Sequence, residues 1–215
     1  MRDIILFDLD GTLTNPKVGI TTSVQYALSS FGIEEDTDNL LCFIGPPLKE
    51  SFMQYYSMSE SDALKAVEKY RERFSVKGLY ENEMFAGVEK MLSELKKSGK
   101  KIVLATAKPI EFSLKILEHF GILDYFDITV GADMHGGIHS KDDVIKKAVS
   151  LIGEENTSRA VMVGDRDVDM LGAIKYGVLP IGVSFGFAEE NELENAGAVH
   201  ISDSIEALTK YLLEI

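Results

Sequence analysis

Short apolar runs rich in β-branched residues recur along the chain, each followed by a stretch whose apolar positions repeat at helical spacing. The runs are Ile4–Phe7, Ile102–Ala105, Ile128–Val130, Ala160–Val163 and Pro180–Val183. They are continuous rather than alternating, which predicts strands buried on both faces, as in a parallel sheet. The stretches between them have readable ends. Pro109 opens one helix and Gly121 closes it, with Ile110, Leu114, Leu117 and Phe120 spaced for one face. Another runs from about Gly87 to Ser98, with Val88, Met91, Leu92 and Leu95 inward and Gly99 at its end. Beyond Ser202, the positions Ile205, Leu208 and Leu212 form a third stripe. Strand and helix in alternation predict an α/β fold built on a doubly wound, Rossmann-like parallel sheet.

One region breaks the alternation. Between Asn15 and Glu83 the pattern is helical throughout: Ile20, Val24, Ala27, Leu28 and Phe31, then Leu64, Val67 and Phe74. Ser59 and Asp62 read as a capping box with Asp in place of Glu. The expected organisation is an α/β core of residues 1–14 and 84–215, with an all-α subdomain of residues 15–83 inserted after the first strand.

Composition narrows the functional classes. The 215 residues suit one large domain or a core with a modest insertion. A net charge of −13 repels phosphate backbones and anionic lipid, so nucleic-acid and membrane partners are not expected. The single Cys42 excludes an internal disulfide and a cysteine-based zinc cage. No apolar run approaches the roughly 18 residues of a membrane span. The opening run Ile4–Phe7 ends at Asp8, too soon for a leader peptide, so the expected location is cytoplasmic.

The candidate chemistry lies at the ends of these strands. The first runs into Asp8-Leu9-Asp10-Gly11-Thr12-Leu13. Residues two apart on a strand point to one side, so Asp8 and Asp10 converge where the strand meets solvent. Close carboxylates repel unless a cation or a shared proton relieves them. By itself the spacing equally describes an acidic turn. The predicted end of a second strand offers Thr106, and that of a third Gly164-Asp165-Arg166-Asp167-Val168-Asp169. A helix starting there sets Asp165 and Asp169 on one face. A calcium loop fails, because its sixth position is Met170 and its twelfth Tyr176. A few hard oxygen ligands, Asp8, Asp10 and Asp165, suit Mg²⁺ completed by water and a substrate phosphate. Lys141 opens a helical stretch at the unfavourable end of the helix dipole; beside such a cluster it gains a role in holding a phosphoryl group.

In this order, Asp8–Leu13, Thr106, Lys141 and Gly164–Asp169 resemble the four motifs of the haloacid-dehalogenase-like hydrolase superfamily. The helical insertion looks like the cap of its phosphoglycolate-phosphatase-like branch. The resemblance implies a phosphatase acting on a small phosphorylated metabolite. Asp8 is then the nucleophile that forms an aspartyl-phosphate, and Asp10 the acid for the leaving alcohol and later the base for water. Gly11, Thr12, Thr106, Ala107, Lys108 and Lys141 would surround the phosphoryl group. Mg²⁺ would be held by Asp8, the Asp10 backbone carbonyl and Asp165, with Asp169 in support. Gly45-Pro46-Pro47-Leu48 is either a plain helix break or a loop that approaches the substrate, and Lys49 would meet an anionic leaving group.

The implied label is phosphoglycolate phosphatase, with 5′-nucleotidase, pyrophosphatase and a β-phosphoglucomutase-type mutase as alternatives on the same core. The mutase usually carries Glu-Asp where this chain has Gly164-Asp165, a dehalogenase has no use for Asp10, and a non-catalytic binding module would be expected to lose a motif residue. His119, His135, His139 and His200 show no ligand spacing and read as surface or packing residues. Cys42, between Leu41 and Phe43, reads as a small core residue. Oligomeric state has no signature here.

Overall fold

The computed structural model describes residues 2–133 and 137–215; His135 lies outside them. Chain order runs from β1 (Ile4–Phe7) and β2 (Thr14–Asn15) into α1 (Lys17–Ser29), α2 (Leu48–Tyr56) and α3 (Glu60–Arg73). It returns through β3 (Glu83–Met84) and α4 (Val88–Lys97). Alternation follows: β4 (Lys101–Pro109), α5 (Ile110–His119), β5 (Ile128–Ala132), α6 (Lys141–Ile152), β6 (Ala160–Gly164), α7 (Asp167–Lys175) and β7 (Leu179–Val183). A short α8 (Glu192–Asn195), β8 (His200–Ser202) and α9 (Ile205–Glu214) complete it. Two compact units result, Met1–Asn15 with Met84–Ile215, and Pro16–Glu83.

The first unit is an α/β fold around a six-stranded sheet of order β5-β4-β1-β6-β7-β8, with every strand pair parallel. Continuous apolar strands are what such a sheet needs, and β1, β6 and the first half of β4 are buried on both faces. Phe7 stands level with Leu104 and with Val163, so β1, β4 and β6 present their carboxyl ends side by side. After β5 the chain crosses to the other side of β1. Open α/β sheets bind ligands at such a reversal of strand order. On one face Val103, Val130, Val144, Ile145, Ala148 and Met162 pack into a continuous core.

Several details differ from the sequence reading. The edge strand β8 and the separate β2–β3 pairing were not expected, since elements of two or three residues carry no periodicity. On α5 the buried positions are Phe112, Ser113, Ile116 and Leu117, so its inward face is rotated from the expected Ile110, Leu114 and Phe120. Cys42 is only partly buried, its Sγ 3.8 Å from the Asn39 carbonyl, and not the core residue expected. Among the described residues no helix is long and apolar enough to cross a membrane.

The second unit is built mainly from helices that pack through small residues. On α3 the buried positions are Ala63, Ala66, Val67 and Tyr70, and Leu64, expected inward, is 50% exposed. Ser59 caps this helix: its Oγ accepts from the Asp62 amide (3.2 Å) and donates to the Asp62 carboxylate (2.9 Å). Arg73 clamps Glu81 through two bonds of 2.6 and 2.8 Å. Gly19 donates its N–H to the Glu81 carbonyl, and a Cβ there would lie 2.1 Å from the Gly78 carbonyl oxygen.

Gly19 and Gly32 therefore separate two glycine roles. Gly19→Ala drives a methyl into backbone and should cost about 2–3 kcal/mol in urea unfolding. Gly32 has φ +74° with nothing within 4 Å of an added Cβ, so Gly32→Ala should cost only the left-handed conformation, about 1 kcal/mol. Equal losses at the two positions would refute the packing argument.

Candidate active site

Asp8 follows β1 directly, and its N–H extends the ladder to the Val163 carbonyl at 2.9 Å. The chain then turns tightly. The Leu9 carbonyl accepts the N–H groups of Thr12, Leu13 and Thr14 at 3.3, 2.9 and 3.0 Å. Gly11 has φ +80°, and a Cβ on it would lie 2.0 Å from Asp165 Oδ2. Backbone conformation and close approach both demand glycine there. Thr12 is fully buried, and its hydroxyl has no hydrogen-bond partner among the described residues.

Asp10 faces a different neighbour. Its Oδ2 lies 2.5 Å from Lys108 Nζ, with both side chains largely buried. Burial raises the Asp10 pKa above the ordinary carboxylate value against the opposing pull of Lys108. Thr106, buried near the end of β4, accepts the Lys108 N–H on its Oγ1 at 3.2 Å, and Ala107 forms the link between them. The resemblance assigns Lys108 to substrate; here it pairs with Asp10.

Lys141 begins α6, behind a capping box in which Ser140 and Asp143 satisfy each other's backbone N–H groups. Its ammonium lies 2.7 Å from Asp8 Oδ1 and 2.8 Å from Asp169 Oδ1, and donates to the Ala105 carbonyl at 3.1 Å. Burial works against its charge, but Asp169 and Asp8 outweigh that and hold its pKa above the ordinary lysine value. The expected phosphoryl contact is thus, in this structure, a bridge between two acids.

Asp165 follows β6 and is almost wholly buried. Its Oδ2 accepts the Phe187 N–H at 2.8 Å, whereas Oδ1 has no hydrogen-bond partner among the described residues. Burial first, then the charges of Asp8 and Asp169, push this carboxyl well above the ordinary range. Asp169, in the first turn of α7, accepts the Arg166 N–H at 3.2 Å. Burial raises its pKa to about 6, with Lys141 opposing and Asp8 adding. A Cβ on Gly164 would lie 2.2 Å from Asp169 Cγ, so glycine clears the space for that carboxyl.

Asp8, Asp165 and Asp169 each offer a carboxylate oxygen within 4.8 Å of the others. With Asp10, four carboxylates face the two ammonium groups of Lys108 and Lys141. Fully ionised, the cluster lacks two positive charges, which one divalent cation supplies. The unpartnered Asp165 Oδ1 and the all-oxygen donor set fit Mg²⁺. The side chain of Asp10 is directed to Lys108 and does not belong to this trio.

Three contributors escaped the sequence reading. Phe187 supplies the N–H to Asp165, and Gly186 lets the chain pass: a Cβ there would be 2.4 Å from Asp165 Cβ and 2.5 Å from the Gly11 carbonyl. Glu192 accepts from Arg166 Nε and from the Asp167 N–H, both at 2.8 Å, bracing the loop after β6. The available signal was a glycine just beyond the apolar run Pro180–Val183. Glu192 lies in a one-turn helix and had no such signal.

Gly45 and Lys49 belong to the second unit. Gly45 has φ +102°, and Lys49 lies 3.1 Å from Glu60 and 3.7 Å from Glu50. The histidines described pack or face solvent. His200 stacks on Tyr211 at 3.7 Å between ring centres, His119 meets the edge of Phe120, and His139 uses its backbone N–H on Asp143. Burial pushes the Cys42 thiol above its ordinary pKa, away from nucleophile character.

Residues 5–183 match the family model described as haloacid dehalogenase-like hydrolase. A 5′-nucleotidase of Pseudomonas aeruginosa is 43% identical over 209 residues, covering 97% of this chain and 94% of its own. A phosphoglycolate phosphatase of Aquifex aeolicus is 27% identical, covering 98% and 99%. The crystal structure of a predicted phosphatase from Clostridium acetobutylicum matches with a TM-score of 0.94 and 45% identity over the whole of both chains.

The raised carboxyls set a sign for pH. Between the ordinary aspartate value of 3.8 and about 6, where Asp169 titrates in the fold, the folded metal-free protein holds more protons than the unfolded chain. Stability then falls as pH rises through that window. Acids held low by partners, such as Asp142 and Asp143, act in the opposite sense and only below their ordinary value. Metal-free protein should therefore melt a few degrees higher at about pH 5 than at about pH 7.5. Asp165→Asn should flatten that difference, and Mg²⁺ should stabilise the unaltered protein more at the higher pH. A melting temperature that climbs with pH in chelator, equally in both proteins, would contradict the assignment.

Proposed function

The chain belongs to the haloacid dehalogenase-like hydrolases, and on that premise we propose a Mg²⁺-dependent phosphatase that hydrolyses a small phosphorylated metabolite through an aspartyl-phosphate. The observation that carries this reading is the pair of differently furnished aspartates on one turn. Asp8 is held by Lys141 among acids, whereas Asp10 is kept above the ordinary carboxylate pKa by its burial. A nucleophile must be ionised and a general acid must hold a proton, and these two environments serve those needs.

In the first step Asp8 bonds to phosphorus as the bond to the leaving oxygen breaks, and Asp10 gives that oxygen its proton. In the second, Asp10 takes a proton from water, which attacks the phosphoryl group. Inorganic phosphate leaves and the Asp8 carboxylate returns. Lys141 fixes one Asp8 oxygen at 2.7 Å and leaves the other for attack. Lys108 orients Asp10. Thr12 offers a buried hydroxyl for a phosphoryl oxygen. Asp8 and Asp165, with Asp169 nearby, would hold a divalent cation, which would supply charge neutralisation for an anionic substrate approaching an acidic cluster.

Among metabolites, the 43% identity to a protein named 5′-nucleotidase supports a nucleoside 5′-monophosphate ahead of phosphoglycolate, whose named phosphatase is 27% identical. Gly164 before Asp165, where the mutase usually carries Glu, supports a hydrolase over a mutase.

Phosphate release from a panel of phosphomonoesters, with Mg²⁺ and after chelation, tests the reading. Nucleoside 5′-monophosphates should lead and activity should vanish in chelator. Asp8→Asn should cut kcat by about 10⁴-fold or more with the circular dichroism spectrum unchanged. Asp10→Asn should slow alkyl phosphates more than p-nitrophenyl phosphate, whose leaving group needs no proton. Near-normal turnover by Asp8→Asn would remove the covalent step, and full activity in chelator would remove the metal.

A further inference from the structure

The outward face of α7 is apolar where a surface helix is ordinarily polar. Val168, Leu171 and Ile174 are 47%, 53% and 51% exposed. They stand three residues apart on a nine-residue helix whose other face buries Asp169, Met170, Gly172 and Ala173. Helical spacing places Asp167 and Lys175 on the same outward face. Ile145 of α6 fills the space beside Gly172 on one flank, and Gly197 abuts Ile174 on the other, where Val199 is also exposed.

We propose that this face docks onto itself: α7 packs antiparallel against α7 of a second copy of this chain, about a two-fold axis at Leu171. The argument is the order of residues about that position. Leu171 is the middle of the helix, Val168 and Ile174 lie three residues to either side, and Asp167 and Lys175 four to either side. In an antiparallel two-fold pair each residue stands level with the one equally distant on the other side. Leu171 therefore meets its own copy, Val168 stands level with Ile174, and Asp167 with Lys175. Opposite charges meet at both ends, and the two helix dipoles oppose. A parallel arrangement would set Asp167 against Asp167. Lys175 already holds Asp142 at 2.8 Å, yet its side chain remains 59% exposed and within reach of a second acid.

The stripe is smaller than the roughly 800 Å² per partner of a stable complex, so association should be weak, with Kd on the order of 10–100 µM. Because the contact is isologous it closes at two copies and does not propagate into fibres.

Sedimentation equilibrium of the full chain, from about 1 µM to about 1 mM, should show a monomer–dimer equilibrium. Leu171→Lys should remain monomeric throughout with an unchanged melting temperature. In a Cys42→Ser background, Leu171→Cys should be joined to its own copy by a short bis-maleimide at least ten times faster than Leu213→Cys, an exposed site on α9. A wild-type monomer at about 1 mM overturns the proposal. So does a dimer that survives Leu171→Lys, or cross-linking at position 171 no faster than at 213.

Discussion

Crowding of like charge at one sheet edge is the constraint on which the rest of the structure turns. Asp8, Asp165 and Asp169 bring carboxylate oxygens within 4.8 Å of one another in a buried site, and Lys141 bridges two of them. That lysine stands at the N-terminus of α6, the end of a helix that disfavours a cation. Neither the acids nor the base would be stable there without the other. The surrounding backbone is chosen to permit the crowding. Gly11, Gly164 and Gly186 each sit where a single methyl would strike an aspartate side chain. Close-packed like charge gathers where chemistry is expected and is supported by a well-packed sheet beneath.

Four aspartates of the same chemistry thereby acquire four environments. Asp8 keeps an ammonium at one oxygen. Asp10 has a lysine of its own and a pKa raised by burial. Asp165 is fixed by a backbone N–H on one oxygen and left unpartnered on the other. Asp169 is wholly buried against Gly164 and shares Lys141. Differences of this kind can give one residue type several chemical roles, as the proposed reaction requires. The second lysine matters as much as the first: Lys108 pulls the Asp10 pKa down against burial, so without it the buried carboxyl would hold its proton more tightly.

How much of this was legible before the structure depends on the length over which each signal extends. The core strands were readable because burial on both faces forces a run of four or more apolar residues, as in Ile4–Phe7 and Ala160–Val163. The gathering of Asp8, Thr106 and Asp165 followed from the rule that parallel strands end on one edge. Contacts that depend on a single residue had no such periodicity. The Phe187 N–H and the Glu192 brace come from segments with no repeating pattern, and β8 is three residues long. The inward face of α5 differs from the periodic reading because the buried stripe runs through Phe112, Ser113, Ile116 and Leu117, and the small Ser113 falls where no apolar position marks the face. Leu64 was misread for a related reason: alanines permit close approach on α3, so the larger side chain is the one left outside. Side-chain partnership was the least legible. Lys108 and Lys141 stand in the sequence as cations without visible partners, and the fold pairs each with a carboxylate.

The same limit bears on α7, a helix with two working faces. Its inward side is constrained by Asp169 and by the small residues Gly172 and Ala173, which allow α6 to approach. Those requirements say nothing about Val168, Leu171 and Ile174, which leave about half of their surface exposed. A solvated helix gains nothing from three apolar side chains in a row, and an acidic protein has charged residues in abundance to place there. The arrangement is accounted for when the face has a counterpart, and the counterpart with matching spacing and opposite charge order is the same helix reversed. Pairing there would also restrain the helix that carries Asp169, so that assembly and the stiffness of the acid cluster would be set by one element.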